Sequence, residues 1–284
     1  MKQNHLLIIS AILLFSFTLF GKKENKSLPK AYRDQFGFVP VGEVEMGGQK
    51  QTTTAFFMMK NEVTNGEYNA FLSDLKAQGK MDEFNRYQID SIGWRTLNPY
   101  NEPFVQYYHT HPAYANYPVC NVSYDGAIAY AAWMESKLNA STAKTGYAYD
   151  VRLPSKAEWI RAANGTFQQP NYAWGGPHIR DSRGIGLCNY NGLQHENDTT
   201  RWTIIDPDNA TMTAPSNSYS PNAFGLYNMN GNIEEMIQER GTAMGGSWRS
   251  CADAVYNTSE ATYTSSSPSL GFRCLVTLRA VSAS

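Results

Sequence analysis

Residues 228–236 read NMNGNIEEM. Asn228 and Glu235 place hard side-chain oxygens near the two ends of the stretch, and Gly231 permits a sharp turn that points backbone carbonyls inward. Calcium asks for that chemistry, because it is held by six to eight oxygen ligands. The plainer reading is an Asn-Gly turn followed by the start of a helix, and spacing alone favours it.

Downstream, Thr242–Trp248 (TAMGGSW) and Gly271–Leu278 (GFRCLVTL) have the apolar, β-branched character of short strands. Upstream, residues 168–221 are rich in Asn, Asp, Gly, Pro and Ser, with scattered aromatics and no regular period. A stretch that long inside a compact domain is usually functional or tied down by ions. Further upstream the pattern turns helical. Val63–Gly79 begins with Thr64 and Glu67 in capping-box spacing, buries Tyr68, Phe71, Leu72 and Leu75, and stops at Gly79. Ser123 opens a second helix with Ile128, Ala131, Ala132, Trp133 and Leu138 on its apolar side. Ser155 and Glu158 cap a third, which Gly165 ends. Phe36–Gly48 alternates like a strand running into a tight turn, and Pro40 argues for an edge position.

The chain has 284 residues, 42% hydrophobic and 17% charged, which suits one substantial core. A formal net charge of -1 and the lack of basic runs exclude a nucleic-acid partner on electrostatic grounds. Residues 1–21 combine Lys2 with an apolar run from Leu6 to Phe20, shorter than the roughly 18 residues of a spanning helix, and read as a secretory signal. An uncleaved anchor is the alternative, and the only membrane contact expected is through this segment. Lys22 stands where a lipid-accepting cysteine would follow, so lipidation has no support. Residues 22–35 read as a charged tether and 36–280 as the folded domain.

An exported chain meets an oxidising compartment, where Cys120, Cys188, Cys251 and Cys274 can form two disulfides in any of three connectivities or stay free. No CxxC pair is present, so neither a zinc ribbon nor a dithiol redox centre is supported. His109 and His111 are spaced to share a strand face, but beside Pro112 they read as packing or surface residues. There is no G-x-S-x-G elbow and no G-x-x-x-x-G-K phosphate loop. Trp133, Trp159, Trp174 and Trp248 read as core.

Eight stretches, in order, carry a family resemblance. They are Phe38–Gly47, Asn61–Thr64, Pro118–Ser123, Arg152–Trp159, Tyr172–Gly175, Asn222–Asn232, Gly245–Trp248 and Gly271–Arg273. Together they resemble the sulfatase-modifying-factor family, the fold of the formylglycine-generating enzyme, from about Phe38 to Thr277. The resemblance implies an α+β fold, related to C-type lectins, with little regular secondary structure. It implies a structural calcium on the Asn228 and Glu235 side chains and the carbonyls of Gly231 and Ile233. A second ion is implied at Asn189, Tyr190, Asp208 and Ala210. Ions of this kind add their binding free energy to folding. Many bacterial members are envelope or secreted proteins, some of them in the gliding and type 9 secretion machinery of Bacteroidetes.

Catalysing members bind copper(I) with two thiolates, the soft pair that ion selects. The matching positions here are Ser250 and Val255, so copper is not expected. Glu234 stands where such relatives tend to place a pocket tryptophan, and Ala131 stands where the disulfide partner of Cys274 would be. That leaves Cys251 with Cys274 as a replacement pair, or two free thiols. Iron-dependent relatives take their histidines from an extra helical domain absent here. The expectation is a calcium-stabilised envelope component whose groove, around Ser247, Trp248, Ser250 and Arg273, grips a peptide or protein partner. Ser247 and Cys251 are the residues left for catalysis in the alternative reading, a divergent oxidase. A lectin-like module using the aromatics of 168–221 is the other alternative.

Overall fold

The computed structural model describes residues 27–97, 100–141, 147–191 and 212–280. Its central sheet is antiparallel, in the order β1 (Phe36–Val39), β4 (Phe56–Met59), β10 (Leu275–Ala280), β5 (Tyr147–Arg152). β4 reads FFMM and is buried throughout. The alternation of a strand explains why: Phe57 and Met59 enter one core cluster, Phe56 and Met58 the other. Cys274 and Val276 follow the first pair, and Leu275 the second. A sheet covered on both faces leaves no polar alternation to read, so β4 carries no strand signature in the sequence.

The first face is covered by α1 (Asn65–Ala77) and α4 (Tyr124–Ala140). The α1 capping box forms as its spacing predicts, with Thr64 and Glu67 bonded reciprocally, and Tyr68, Phe71, Leu72 and Leu75 are its buried face. α4 is rotated from expectation. It buries Ala127, Tyr130, Ala131, Met134 and Leu138, while Ile128 and Ala132 are exposed. Tyr130 sets that rotation by packing among Tyr68, Phe71 and Phe272. Two short helices, α2 (Met81–Tyr87) and α3 (Glu102–Tyr107), lie between them in sequence. The second face is covered by α5 (Lys156–Asn164), whose Ser155–Glu158 capping box is complete and whose Trp159 is fully buried.

A hairpin of β2 (Gly42–Met46) and β3 (Gln49–Thr53) stands beside α5. A second sheet has the order β8 (Glu260–Thr262), β7 (Thr242–Met244), β6 (Glu234–Met236), β9 (Leu270–Gly271), with only β6 and β9 parallel. Residues 168–191 and 212–221 contain no helix or strand, as expected of a loop.

The expected tether needs correcting. From Ser27 onward the segment is docked: Leu28 is buried in the main core, Tyr149 Oη donates to Ser27 O, and Arg33 Nε donates to Leu28 O. Leu28 and, less deeply, Tyr32 anchor this charged stretch on the core. The expected signal falls on residues outside those described. Among the described residues no helix is long and apolar enough to cross a membrane.

His109 is a packing residue, as its sequence context indicated. It is buried beside the fully buried Trp94, accepts from Trp94 Nε1 at 3.2 Å, and lies 2.9 Å from Asn65 Oδ1 through Nδ1. Asn65 Nδ2 donates to Tyr108 O, so Asn65 Oδ1 is the acceptor and the ring is neutral with its proton on Nδ1. Burial pushes His109 from 6.5 to about 3. The unfolded chain therefore binds the extra proton first, and stability falls as pH drops from 6.5 toward about 3. Its share of the acid limb is about 1.4 kcal/mol per pH unit. Denaturant melts across that range should show the limb flattened in His109→Gln relative to wild type.

Candidate functional site

Asn228 to Asn232 is a turn, and the helix start in the plainer reading does not form, because Glu234 to Met236 is β6. Asn228, Gly231 and Asn232 have φ of 51°, 75° and 65°. Gly231 is required twice. Its φ suits glycine, and a Cβ there would lie 2.2 Å from Asn189 O. The turn joins two distant segments, with Gly231 N donating to Gly245 O at 2.8 Å and Asn232 N to Asn189 O at 2.8 Å.

The side chains around this turn form a buried polar network. Asn232 donates to Glu62 Oε1 at 2.9 Å, and its Oδ1 accepts from Ala214 N at 2.7 Å and Asn189 Nδ2 at 3.2 Å. Asn228 donates to Glu62 Oε2 at 3.1 Å. Burial pushes the Glu62 carboxyl up to about 8, although Arg273 and the two asparagines oppose it. Glu62 lies within the Asn61–Thr64 marker, but a single acid before a helix gave no sign that it would be buried against residues more than 160 positions away.

Glu235 and Arg273 need reassigning. Arg273 is fully buried and lines no groove. Its Nε donates to both Glu235 oxygens at 2.9 and 2.7 Å, its Nη2 to Glu235 Oε1 at 2.5 Å, and its remaining donors reach Met59 O, Lys60 O and Tyr227 O. Trp159 Nε1 adds 2.8 Å to Glu235 Oε2. The Glu235 carboxylate is thus engaged by an arginine and an indole.

Four buried amide oxygens find no donor among the described residues, those of Asn61, Asn121, Asn189 and Asn228. A buried oxygen lacking a partner costs roughly 1–3 kcal/mol unless a cation or water meets it. Asn228 and Asn189 belong one to each of the two calcium sets that the resemblance implies, and Asn61 and Asn121 to neither. Ile233 is fully buried beside Asn232. Tyr190 is buried against Tyr172, Cys188 and Val255, while Asp208 and Ala210 lie outside the described residues. The hard-oxygen character of the Asn228 and Asn189 positions fits calcium, and the Glu235 carboxylate fits it less well.

The thiol cleft lies on the other side of β6. It encloses about 490 Å3 and is lined by Asn191, Glu234, Arg249, Ser250, Cys251 and Glu260, among others. Ser247 is buried beneath it, with Oγ 3.3 Å from Glu234 Oε1, while its backbone N donates to Ser250 Oγ at 2.9 Å. Burial raises the Glu234 carboxyl, offset by Ser247 and Arg249. Trp248 turns away and packs beside Trp94, Tyr108 and Cys120. Of the four expected groove residues, Ser250 lines the cleft, Ser247 supports it, and Trp248 and Arg273 belong elsewhere.

Val255 is fully buried among Tyr172, Cys188 and Tyr190. Cys251 is half-buried, and burial, then Asp253, push its thiol up, away from the thiolate a nucleophile or soft metal needs. All four cysteines are free, so the Cys251–Cys274 pair is not formed: Cys274 is sealed in the main core while Cys251 faces the cleft. Among the described residues no three His, Cys, Asp or Glu side chains converge on a common point.

A profile of the Sulfatase-modifying factor enzyme 1-like domain matches residues 20–278. The chain belongs to this family. It is 37% identical over 121 residues to the formylglycine-generating enzyme of Thermomonospora curvata, covering 42% of this chain and 32% of the relative. It is 34% identical over 125 residues to the enzyme of that name from Streptomyces coelicolor, covering 44% and 32%. The matched stretch thus spans about a third of each relative's length. Treponema denticola variable protein 1 superposes with a TM-score of 0.55 at 17% identity, over 84% of this chain and 94% of that one, which is a likeness of fold. The α+β architecture is that of the family.

The buried ion pair yields a sharp expectation. Arg273→Met leaves Glu235 charged in the interior, and Glu235→Gln leaves Arg273 so; each should cost about 3–5 kcal/mol in urea unfolding. The double variant Glu235→Gln/Arg273→Met should lose less than the two single losses added together.

Proposed function

We propose that the protein is an exported, calcium-stabilised component of the bacterial cell envelope that performs no copper-dependent cysteine oxidation and binds a peptide or protein segment in the cleft beside Cys251. The observation that carries this is the pair Ser250 and Val255. Where the resemblance calls for two thiolates there is a hydroxyl bonded to Ser247 and a valine sealed among aromatic rings. One half-buried thiol with a raised pKa cannot replace them.

Calcium would be held by Asn228 Oδ1 with the carbonyls of Gly231 and Ile233, and by Asn189 Oδ1 at the second position. Its role is structural, fixing loops that lack a backbone ladder. Glu235 stays with Arg273.

The oxidation test uses purified protein, copper(I) with a competing chelator, and a sulfatase-type peptide carrying one cysteine. No copper binding, no oxygen uptake and no change in peptide mass are expected. Turnover that disappears in Cys251→Ser would overturn the reading in favour of a divergent oxidase. As a positive counterpart, Ser250→Cys/Val255→Cys should withdraw copper(I) from the chelator where wild type does not.

The calcium test is thermal. Adding calcium at about 100 times its dissociation constant to chelator-treated protein should raise stability by about 2.7 kcal/mol per site. That corresponds to roughly 5–10 °C in Tm for a domain of this size. Asn228→Ala should lose one site's share of the response and Asn189→Ala the other's, and a Tm indifferent to calcium in wild type would sink the assignment. Glycan-array binding by the calcium-loaded, folded protein would favour a lectin-like module instead.

A further inference from the structure

A spacious cleft lies away from the thiols, between the β2–β3 hairpin and the C-terminal end of α5. It encloses about 740 Å3, and Val41, Gly42, Arg161, Gly165, Phe167 and Gln168 are among its walls. Arg161 is half-buried there. Its guanidinium is fixed in three ways. Nη1 donates to Gly165 O at 2.7 Å, the group lies 4.9 Å from the centre of the Phe224 ring, and its edge rests on the backbone of Gly42. The last contact requires glycine, since a Cβ at 42 would come within 2.1 Å of Arg161 Nε.

Those contacts use one of the five N–H donors. The Gly165 bond caps the end of α5, and that structural role accounts for Nη1 alone. Among the described residues no carboxylate pairs with Arg161. The two nearby acids have other partners, Glu43 with Lys50 and Glu45 with Gln169. Burial lowers the Arg161 pKa, and no acid compensates. A guanidinium held rigid and partly stripped of water, with its Nε edge on Gly42 and Nη2 unpaired among the described residues, offers its Nη1–Nη2 end to a planar two-oxygen anion. The cleft walls add apolar surface, with Val41 and Phe167 left 62% and 47% exposed. Glu43 and Glu45 on the rim disfavour ligands of higher negative charge.

We infer that this cleft is a second binding site, which takes a protein segment through a single carboxylate flanked by an apolar side chain, with Arg161 as the anion fork and Val41 and Phe167 as the apolar walls. The carboxylate is that of a chain terminus or of an acidic side chain. The site shares no lining residue with the thiol cleft, so it stands or falls separately from the function proposed above.

The test is fluorescence anisotropy on the full folded domain with three labelled peptides: one ending in Leu-Leu with a free carboxylate, the same peptide amidated, and an amidated peptide with an internal Glu-Leu. Binding of the first or third, with the amidated acid-free peptide at least about tenfold weaker, is the expected result, matching the loss of a charge-assisted hydrogen bond. The first and third peptides distinguish a terminus from a side chain. Arg161→Gln should weaken binding by about tenfold or more, and Arg161→Lys should recover only part, since it keeps the charge but not the fork. Phe167→Ser, on the exposed rim, should weaken binding severalfold with Tm unchanged, which keeps the test informative if an Arg161 variant folds poorly. Equal binding with and without a carboxylate, no peptide binding at millimolar concentration, or binding of glucuronate in preference to every peptide would each overturn the proposal.

Discussion

The pairing of Arg273 with Glu235 is the constraint around which the other elements are arranged. Arg273 lies where the chain passes from β9 in the second sheet to β10 in the central one. A guanidinium buried at that crossing is tolerable only if nearly every donor is met, because desolvating a charge costs several kcal/mol. The requirement is satisfied by carbonyls at the end of β4, by Tyr227 before the Asn228 turn, and by a carboxylate on β6, which Trp159 of α5 also contacts. One side chain thereby fixes the relative placement of both sheets, a helix and a loop. Neither a β-ladder nor a helix contact does this alone in a chain with so much irregular backbone.

The irregular backbone is held by carboxamides. Asn222 accepts from Phe224 N and Leu226 N and donates to Ala162 O, closing its own loop onto α5. Asn230 accepts from Ala173 N and donates to Val255 O and to Asn257, which in turn donates to Asn164. Each amide offers two donors and an acceptor, so a few buried asparagines can satisfy peptide groups that a sheet would otherwise pair. A loop-rich core therefore needs many of them, and the Asn-rich composition has a structural cause.

Local signals were legible in the sequence, and non-local ones were not. The capping boxes at Thr64 and Ser155 and the stops at Gly79 and Gly165 were all readable, because a cap is decided within four residues. β4 was not, since burial on both faces erases the period that marks a strand. The turn around Gly231 was readable, but the fate of Glu235 was not: an acid near a turn looks like a cation ligand until an arginine nearly forty positions away claims it. Arg161 gave no signal, because in sequence it is one polar residue on an amphipathic helix, and only the approach of Gly42 makes it a fork.

The sealing of the thiols has a consequence for how this protein ages. Cys120, Cys188 and Cys274 are buried, and burial raises each thiol pKa far above that of a free cysteine. In the native state they are poor nucleophiles whatever the redox poise outside. Once the chain opens, the same sulfurs ionise readily, and any disulfide they capture joins positions the fold keeps apart. Loss of the native state then becomes a one-way process whose pace is set by opening, so the domain's lifetime in an oxidising setting is governed by an unfolding rate rather than by an equilibrium constant.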